Sequence, residues 1–232
     1  ITVGTTTYSF IMSTPRPPAV SLMRVDHDGS LLRPDKLKET FARHDQGQAS
    51  DEELRQAQHE SIRDVIAKQE AHNLPVVTDG EFRRVNFMES FSVVSGLEQW
   101  QSGVKTLHQI LARQDTTGQQ HHKGQDPILM NRKPVTERIR LVRNRLLDEY
   151  QFARSLTTRP VKVTLIGPDR ITQCFNAENS RSIYAGVDDF LADVISVERR
   201  MVDELAQAGC AYVQIDGPGY TAYVDAQSLA AM

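Results

Sequence analysis

Charged side chains follow directly after a short apolar segment in the first half of the chain. The segment "PVVTDGEFRR", residues 75–84, contains two carboxylates and two guanidinium groups: Asp79, Glu81, Arg83 and Arg84. Pro-Val-Val favours a short buried strand, so these charges stand at the C-terminal end of that strand. They can bind a small ligand that carries an ammonium and a carboxylate, or they can form a surface ion pair, which contributes little.

Three other segments combine polar residues with turn-forming residues. They are "HDGSLLRP" at 27–34, "LIGP" at 165–168 and "QIDGPGY" at 214–220. A Gly-Pro pair after a strand is often only a turn, and an Asp at that place is often a helix cap. Each segment by itself is therefore weak evidence for a functional site, and the order of the segments along the chain carries more information.

The elements that must position these segments alternate between strands and helices. We predict strands at 75–78, 161–166 and 212–216. We predict helices at 50–73, where Ser50 and Glu53 form a capping box, at 134–156, and from Asp188 or Asp189 as the N-cap to a stop at Gly209. This alternation predicts a parallel sheet covered by helices, either an open doubly wound sheet or a (β/α)8 barrel.

The polar segments stand where a barrel enzyme would use them. Barrel enzymes build their active sites from the loops that follow the strands. The sequence contains neither GxGxxG nor GxxxxGKS, the phosphate-binding motifs that would favour a nucleotide-binding open sheet. We therefore expect a polar ligand at the C-terminal ends of the strands.

In this order, the segments resemble the catalytic domain of cobalamin-independent methionine synthase and its smaller single-domain relatives. "HDGSLLRPDKL", "GQASDEEL" and "LPVVTDGEFRR" are similar to the opening of that family, "VTLIGP" to its middle strand, and "ELAQAGCAYVQIDGP" to its helix–strand unit. The resemblance covers about 24–100 and 155–232. The polar stretch 101–133 matches nothing in it, and 114–126 is predicted to be a long loop.

The resemblance implies a TIM (β/α)8 barrel. We expect 1–22 to be a flexible leader and 23–232 to be the N-terminal part of such a barrel, with its C-terminal strands missing. The chain begins at Ile1 without an initiator Met and stops at Met232 within a predicted helix, so we expect a fragment of a longer polypeptide.

The activity implied by the resemblance is zinc-dependent methyl transfer from a methylated folate to the thiol of homocysteine. Zinc would bind the thiol and stabilise the thiolate, which is the nucleophile. The resemblance also implies small-molecule partners and a cytoplasmic location. Two alternatives stay open: an alkyl transferase that acts on another thiol such as coenzyme M, and a catalytically silent barrel that binds an amino acid or a folate-like ligand.

Four residues match the acceptor-binding positions of the family. Gly29 and Ser30 match its Gly-Ser pair, which holds the amino-acid carboxylate, and Glu81 and Asp216 match the acids that bind the ammonium. A partly buried ammonium needs compensating carboxylates, so the assignment makes physical sense. The simpler alternatives are that Glu81 pairs with a neighbouring arginine and that Asp216 caps a loop or helix.

Two positions depart from the family pattern. Gly217 replaces the acid that usually follows Asp216, and Asp28 stands where a branched apolar residue is common. A carboxylate next to Gly29 would repel a substrate carboxylate. Either change could indicate a different acceptor or a different methyl donor.

The zinc ligands of the family are a His-x-Cys pair, a Glu and a second Cys, and we expect them beyond Met232. Local substitutes are poor candidates, since His121–His122 stand in a polar stretch and Cys174 and Cys210 have no CxxC partner.

Composition excludes several classes of protein. The net charge is -3 over 232 residues, which gives no electrostatic argument for a nucleic-acid or anionic membrane partner. No apolar run approaches the roughly 20 residues that span a bilayer. The two cysteines are too few for a disulfide scaffold and fit reduced thiols.

Overall fold

The computed structural model describes residues 25–85, 87–97, 134–220 and 224–226, and in these ranges the chain has an α/β fold. The predictions for the leader at 1–22, for the loop at 114–126 and for His121–His122 concern residues outside these ranges.

The helices are α1 (Asp35–Asp45), α2 (Asp51–Ala71), α3 (Arg145–Arg154), α4 (Pro168–Thr172) and α5 (Val187–Gln207). The strands are β1 (Val93–Ser95), β2 (Arg140–Arg143), β3 (Lys162–Ile166) and β4 (Tyr212–Asp216). Short 3-10 helices cover Phe87–Phe91 and Glu178–Ser180.

The three predicted strands are neighbours and run parallel. β3 and β4 pair in parallel from Lys162↔Tyr212 to Ile166↔Asp216. The segment predicted at 75–78 contributes a single parallel bridge, between Val77 and Val161. The loops that follow the three segments therefore leave the same edge of the sheet, as expected for parallel strands.

The capping box at the start of α2 is confirmed. The Ser50 hydroxyl accepts a hydrogen bond from the Glu53 backbone N–H at 3.2 Å, and the Glu53 carboxylate accepts one from the Ser50 N–H at 2.8 Å. Both bonds satisfy donors that a helix N-terminus leaves without an intrahelical partner.

The predicted N-cap of α5 is wrong. The N-cap is Gly186, and Asp188 and Asp189 lie in the first helical turn. The Asp189 carboxylate accepts from the Ala185 N–H at 3.1 Å and pairs with Arg138 at 2.8 Å. Acidic residues in a first turn also interact favourably with the helix dipole, so their enrichment there does not identify the cap itself.

The single helix predicted over 134–156 is also wrong. Residues 140–143 form β2, which pairs antiparallel with β1, and α3 begins only at Arg145. The Asn144 side chain caps α3 by accepting from the Leu147 N–H. Further upstream, the Ile139 N–H donates to the Tyr184 hydroxyl at 2.7 Å. Tertiary partners thus take the backbone donors that a helix would have used, and they override the helical spacing of the apolar residues.

The core lies between the parallel strands and the helices. Val163 and Leu165 are buried in one apolar cluster that also contains Leu146 of α3 and Met201 of α5. Side chains alternate between the faces of a strand, so the residues between them on β3 point to the opposite face. None of the helices in the described part of the chain is long and apolar enough to cross a membrane.

Candidate functional site

Glu81 lies in the loop after the 75–78 segment with a left-handed backbone. Its φ is +59°, which is uncommon for a residue other than glycine, and its side chain is buried. The Glu81 N–H donates to Asp79 Oδ1 at 2.9 Å, and Arg33 donates to the Glu81 carbonyl at 3.1 Å. These contacts hold the residue in a conformation that costs free energy, and such strain is concentrated at functional sites.

The Glu81 carboxylate belongs to a buried cluster of charges. Its Oε1 accepts from the Thr164 hydroxyl at 2.6 Å and lies 3.5 Å from Arg84 Nη1. Arg84 pairs more closely with Glu149, at 2.7 Å. Burial alone would lower the pKa of Arg84, but the Glu149 carboxylate raises it overall, so the guanidinium stays charged. Arg84 thus lies close to two buried carboxylates, and the Arg33 guanidinium is a second cation near Glu81.

Gly29 contacts this cluster directly. A Cβ atom at Gly29 would lie 2.7 Å from Thr164 Cγ2 and 2.8 Å from Glu81 Oε1, closer than real Cβ atoms come. The Thr78 hydroxyl donates to the Gly29 carbonyl at 3.3 Å, and the Leu31 N–H donates to the Gly80 carbonyl at 3.1 Å. The segment that follows His27 therefore packs against the loop after the first parallel segment, and glycine permits this close approach.

The backbone N–H groups beside this contact belong to Gly29, which is buried, and to Ser30. Within the described ranges, neither Gly29 nor Ser30 uses its N–H in a hydrogen bond with the protein. Ser30 is also exposed. Successive free N–H groups can bind an anionic oxygen such as a carboxylate.

Asp216 ends β4 and connects to the same segment through Gln214. The Gln214 side-chain amide donates to Asp216 Oδ1 at 2.7 Å, to the Asp28 carbonyl at 2.7 Å and to Asp28 Oδ1 at 3.2 Å. Lys162 donates to the Gln214 side-chain oxygen at 2.9 Å. Glu81 thus contacts Gly29, and Asp216 is linked through the Gln214 amide to Asp28, the residue before Gly29.

Sequence reasoning missed four residues of this arrangement: Lys162, Thr164, Gln214 and Glu149. The first three lie at alternate positions of β3 and β4, with Thr164 and Gln214 paired across the strands. Polar residues at alternate positions of otherwise buried strands are a recognisable signal for a polar interior face. Glu149 gave no such signal, because its partner Arg84 lies far away in the sequence.

The described residues hold no ligand set for a metal. Among them, no group of three or more His, Cys, Asp or Glu side chains lies close enough to hold a metal ion. Cys174 and Cys210 are both buried, and burial raises the pKa of the Cys210 thiol, which disfavours the thiolate. The described residues therefore do not fit a zinc site.

Comparison with known proteins agrees with the resemblance seen in the sequence. Residues 29–227 match the family model for the catalytic domain of cobalamin-independent synthase. A methionine synthase of Sulfolobus acidocaldarius is 30% identical over 192 residues, which cover 82% of this chain and 50% of that protein. The uncharacterised protein YxjH of Bacillus subtilis is 27% identical over 203 residues, which cover 87% of this chain and 50% of that protein.

A solved structure gives the same result at the level of the fold. A Listeria monocytogenes protein described as a vitamin-B12 independent methionine synthase superposes with a TM-score of 0.62 at 20% identity, over 87% of this chain and 54% of that one. The chain spans about half the length of the curated relatives that it matches. The match to the family model covers most of the chain, and the chain therefore belongs to the family of cobalamin-independent synthase catalytic domains.

Proposed function

We propose that the described residues form the acceptor-binding part of a methyltransferase that moves a methyl group from a methylated folate to the thiol of homocysteine or a related thiol. The observation that carries the proposal is the contact between Gly29 and Glu81 at the end of the parallel strands, where a Cβ at Gly29 would meet Glu81 Oε1 at 2.8 Å. This contact brings a backbone N–H without a protein partner close to the Glu81 carboxylate, and an amino-acid zwitterion needs both kinds of group.

Each end of the acceptor has a partner of opposite charge in this proposal. The ammonium binds between Glu81 and Asp216, and the carboxylate binds the N–H groups of Gly29 and Ser30. Binding both ends fixes the direction of the sulfur atom, which lowers the entropic cost of reaching the methyl donor. In the transfer, the thiol loses its proton, the S–CH3 bond forms while the N–CH3 bond of the donor breaks, and the donor nitrogen takes up a proton, so that no net proton is gained or lost.

A zinc ion would supply stabilisation of the acceptor thiolate. The described residues contain no ligand set for it, so their role in this proposal is to bind and orient the acceptor. The parallel order of β3, β4 and the Val77 segment supports the further proposal that 23–232 is the first part of a (β/α)8 barrel.

A second candidate function is a catalytically silent barrel that binds an amino acid or a folate-like ligand. The observation that favours it is Gly217, which lacks the carboxylate usual at that position. The two candidates share the binding site and differ in turnover. A transferase acting on another thiol, such as coenzyme M, differs from both in its acceptor.

The test uses the intact protein supplied with zinc, a methylated folate and homocysteine. We expect a methylated thiol product, and we expect Glu81→Gln to weaken homocysteine binding in calorimetry by more than about 1 kcal/mol, since it removes a charge-assisted contact. Glu178→Gln, at an exposed acid in a short 3-10 helix, is the matched control and should bind as the wild type does. Binding without product supports the silent barrel, and unchanged binding by Glu81→Gln contradicts the role of Glu81.

A further inference from the structure

Asp28 and Asp216 both accept a hydrogen bond from the side-chain amide of Gln214. The Gln214 amide nitrogen lies 3.2 Å from Asp28 Oδ1 and 2.7 Å from Asp216 Oδ1, so the two oxygens are less than 6 Å apart. Asp28 is exposed and Asp216 half-buried. The carboxylate that departs from the family pattern thus lies beside one of the proposed acceptor-binding acids.

Lys162 fixes the direction of that amide. Its ammonium group donates to Gln214 Oε1 at 2.9 Å, and an ammonium has no acceptor. The oxygen of the amide must therefore face Lys162, and the NH2 group must face the two carboxylates. With only two hydrogens for Asp28 Oδ1, the Asp28 carbonyl and Asp216 Oδ1, the amide cannot satisfy all three acceptors fully.

No cation among the described residues forms an ion pair with either of the two carboxylates. Lys162 has its own carboxylate partner, Asp26, at 3.2 Å. A neutral amide bridges the two charges without cancelling them. This end of the strands therefore favours a cation and disfavours an anion.

A side chain at Gly217 would require the Tyr220 ring to move. A Cβ at Gly217 would lie 2.4 Å from Cδ2 and from Cε2 of the Tyr220 ring. The ring of Tyr220 thus occupies the space that a side chain at that position needs. Asp28 supplies a carboxylate to the same end of the strands from a different segment, next to Gly29.

We propose that Asp28 determines acceptor specificity by disfavouring thiols that carry a carboxylate beside the amine. The inference rests on the proposed function, because it assumes that the acceptor carboxylate would bind at the N–H groups of Gly29 and Ser30. A carboxylate bound there lies next to the Asp28 charge and is repelled. The preferred acceptor is then an aminothiol without that carboxylate, or one in which it is an amide or ester.

The test compares two acceptors on the intact protein by calorimetry: homocysteine and its decarboxylated analogue, an aminopropanethiol. Asn keeps the shape and an acceptor oxygen for Gln214 but removes the charge. We expect Asp28→Asn to tighten homocysteine binding about fivefold and to leave the aminopropanethiol unchanged or weaker, with a smaller difference at high salt. Asp45→Asn, at an exposed acid that ends α1, is the matched control and should change neither constant.

The possible failures are distinguishable. If Asp28→Asn leaves homocysteine binding unchanged, or weakens both acceptors equally, the role of Asp28 is overturned while the site itself stands. If Glu81→Gln fails to weaken binding of the aminopropanethiol, the ammonium site is wrong and the proposed function falls with it. Equal melting temperatures for Asp28→Asn and wild type show that any change arises at the site and not from unfolding.

Discussion

The hydroxyl of Thr164 donates a hydrogen bond of 2.6 Å to Oε1 of Glu81. Thr164 lies in the middle of β3, whereas Glu81 lies in the loop after a different parallel segment. The same hydroxyl accepts from Arg84 Nη1 at 3.0 Å. One side chain of the sheet therefore fixes both the carboxylate proposed to bind the ammonium and the guanidinium beside it.

Replacing Thr164 tests whether this positioning matters for binding. Thr164→Val has nearly the same shape but leaves a buried carboxylate without its donor, so we expect the free energy of unfolding to fall by about 1–2 kcal/mol. Homocysteine binding should weaken severalfold, because Glu81 loses its fixed direction. Thr164→Ser retains the hydroxyl and should recover most of the affinity in calorimetry. Equal affinities for the Val and Ser variants would show that the hydroxyl does not position Glu81.

Gly29→Ala tests the close contact with Glu81 by adding a methyl group without changing any charge. The methyl group of Gly29→Ala would lie 2.7 Å from Thr164 Cγ2 and 2.8 Å from Glu81 Oε1. We expect a loss of about 1–3 kcal/mol in unfolding free energy, as for other overpacked sites, and weaker acceptor binding. At Gly186 nothing lies within 4 Å of the added atom, so Gly186→Ala lacks this clash; it should cost only about 0.5–1 kcal/mol for the less favourable N-cap of α5 and should leave acceptor binding unchanged. Similar chemical-denaturation midpoints for both variants would contradict the close approach.

Sequence alone predicted the segments of this site better than the contacts within it. Gly29, Glu81 and Asp216 were predicted from segments that have characteristic residues in a characteristic order, and their binding roles stay a prediction. Thr164 and Gln214 were missed because β3 and β4 were interpreted as buried strands, without attention to the polar residues on one of their faces. β3, β4 and α2 were predictable from local patterns of apolar and capping residues.

The boundary of α3 shows why local patterns were not sufficient elsewhere. Helical spacing of apolar residues favoured one helix over 134–156, but pairing of β2 with β1 and a bond from Ile139 to Tyr184 compete for that backbone. Such partners lie tens of residues away, and no local window contains them. The same distance hides the ion pair between Arg84 and Glu149.

That ion pair supplies a prediction about stability. Arg84 and Glu149 are both buried, at 2.7 Å from one another. Glu149→Gln leaves the Arg84 guanidinium buried with incomplete compensation, so we expect a loss of about 3 kcal/mol in unfolding free energy. Asp148→Asn is the matched control on the same helix, because Asp148 pairs with Arg143 at the surface, where such pairs contribute less than about 1 kcal/mol. Urea denaturation of both variants measures the difference, and equal losses would contradict the buried pair.

Glu198 on α5 predicts a change of stability with pH. Its side chain is buried, its Oε1 has no hydrogen-bond partner in the described structure, and burial, together with the nearby Asp169 carboxylate, raises its pKa to about 8. The folded protein then keeps a proton that the unfolded chain releases above the ordinary pKa of 4.5. The contribution of Glu198 to stability is therefore largest below that value and declines as the pH rises to about 8.

Glu198→Gln removes this titration while keeping the shape of the side chain. We expect the variant to match the wild type near about pH 5 and to be more stable by about 1–3 kcal/mol near about pH 9, because solvent screening reduces the full effect of the pKa shift. Urea denaturation at both pH values measures the difference. Asp203→Asn, at an exposed acid of the same helix, should give a pH-independent change, if any. A Glu198→Gln effect that is the same at both pH values would show that Glu198 ionises normally in the folded protein, and that the uncompensated carboxylate does not destabilise α5 at high pH.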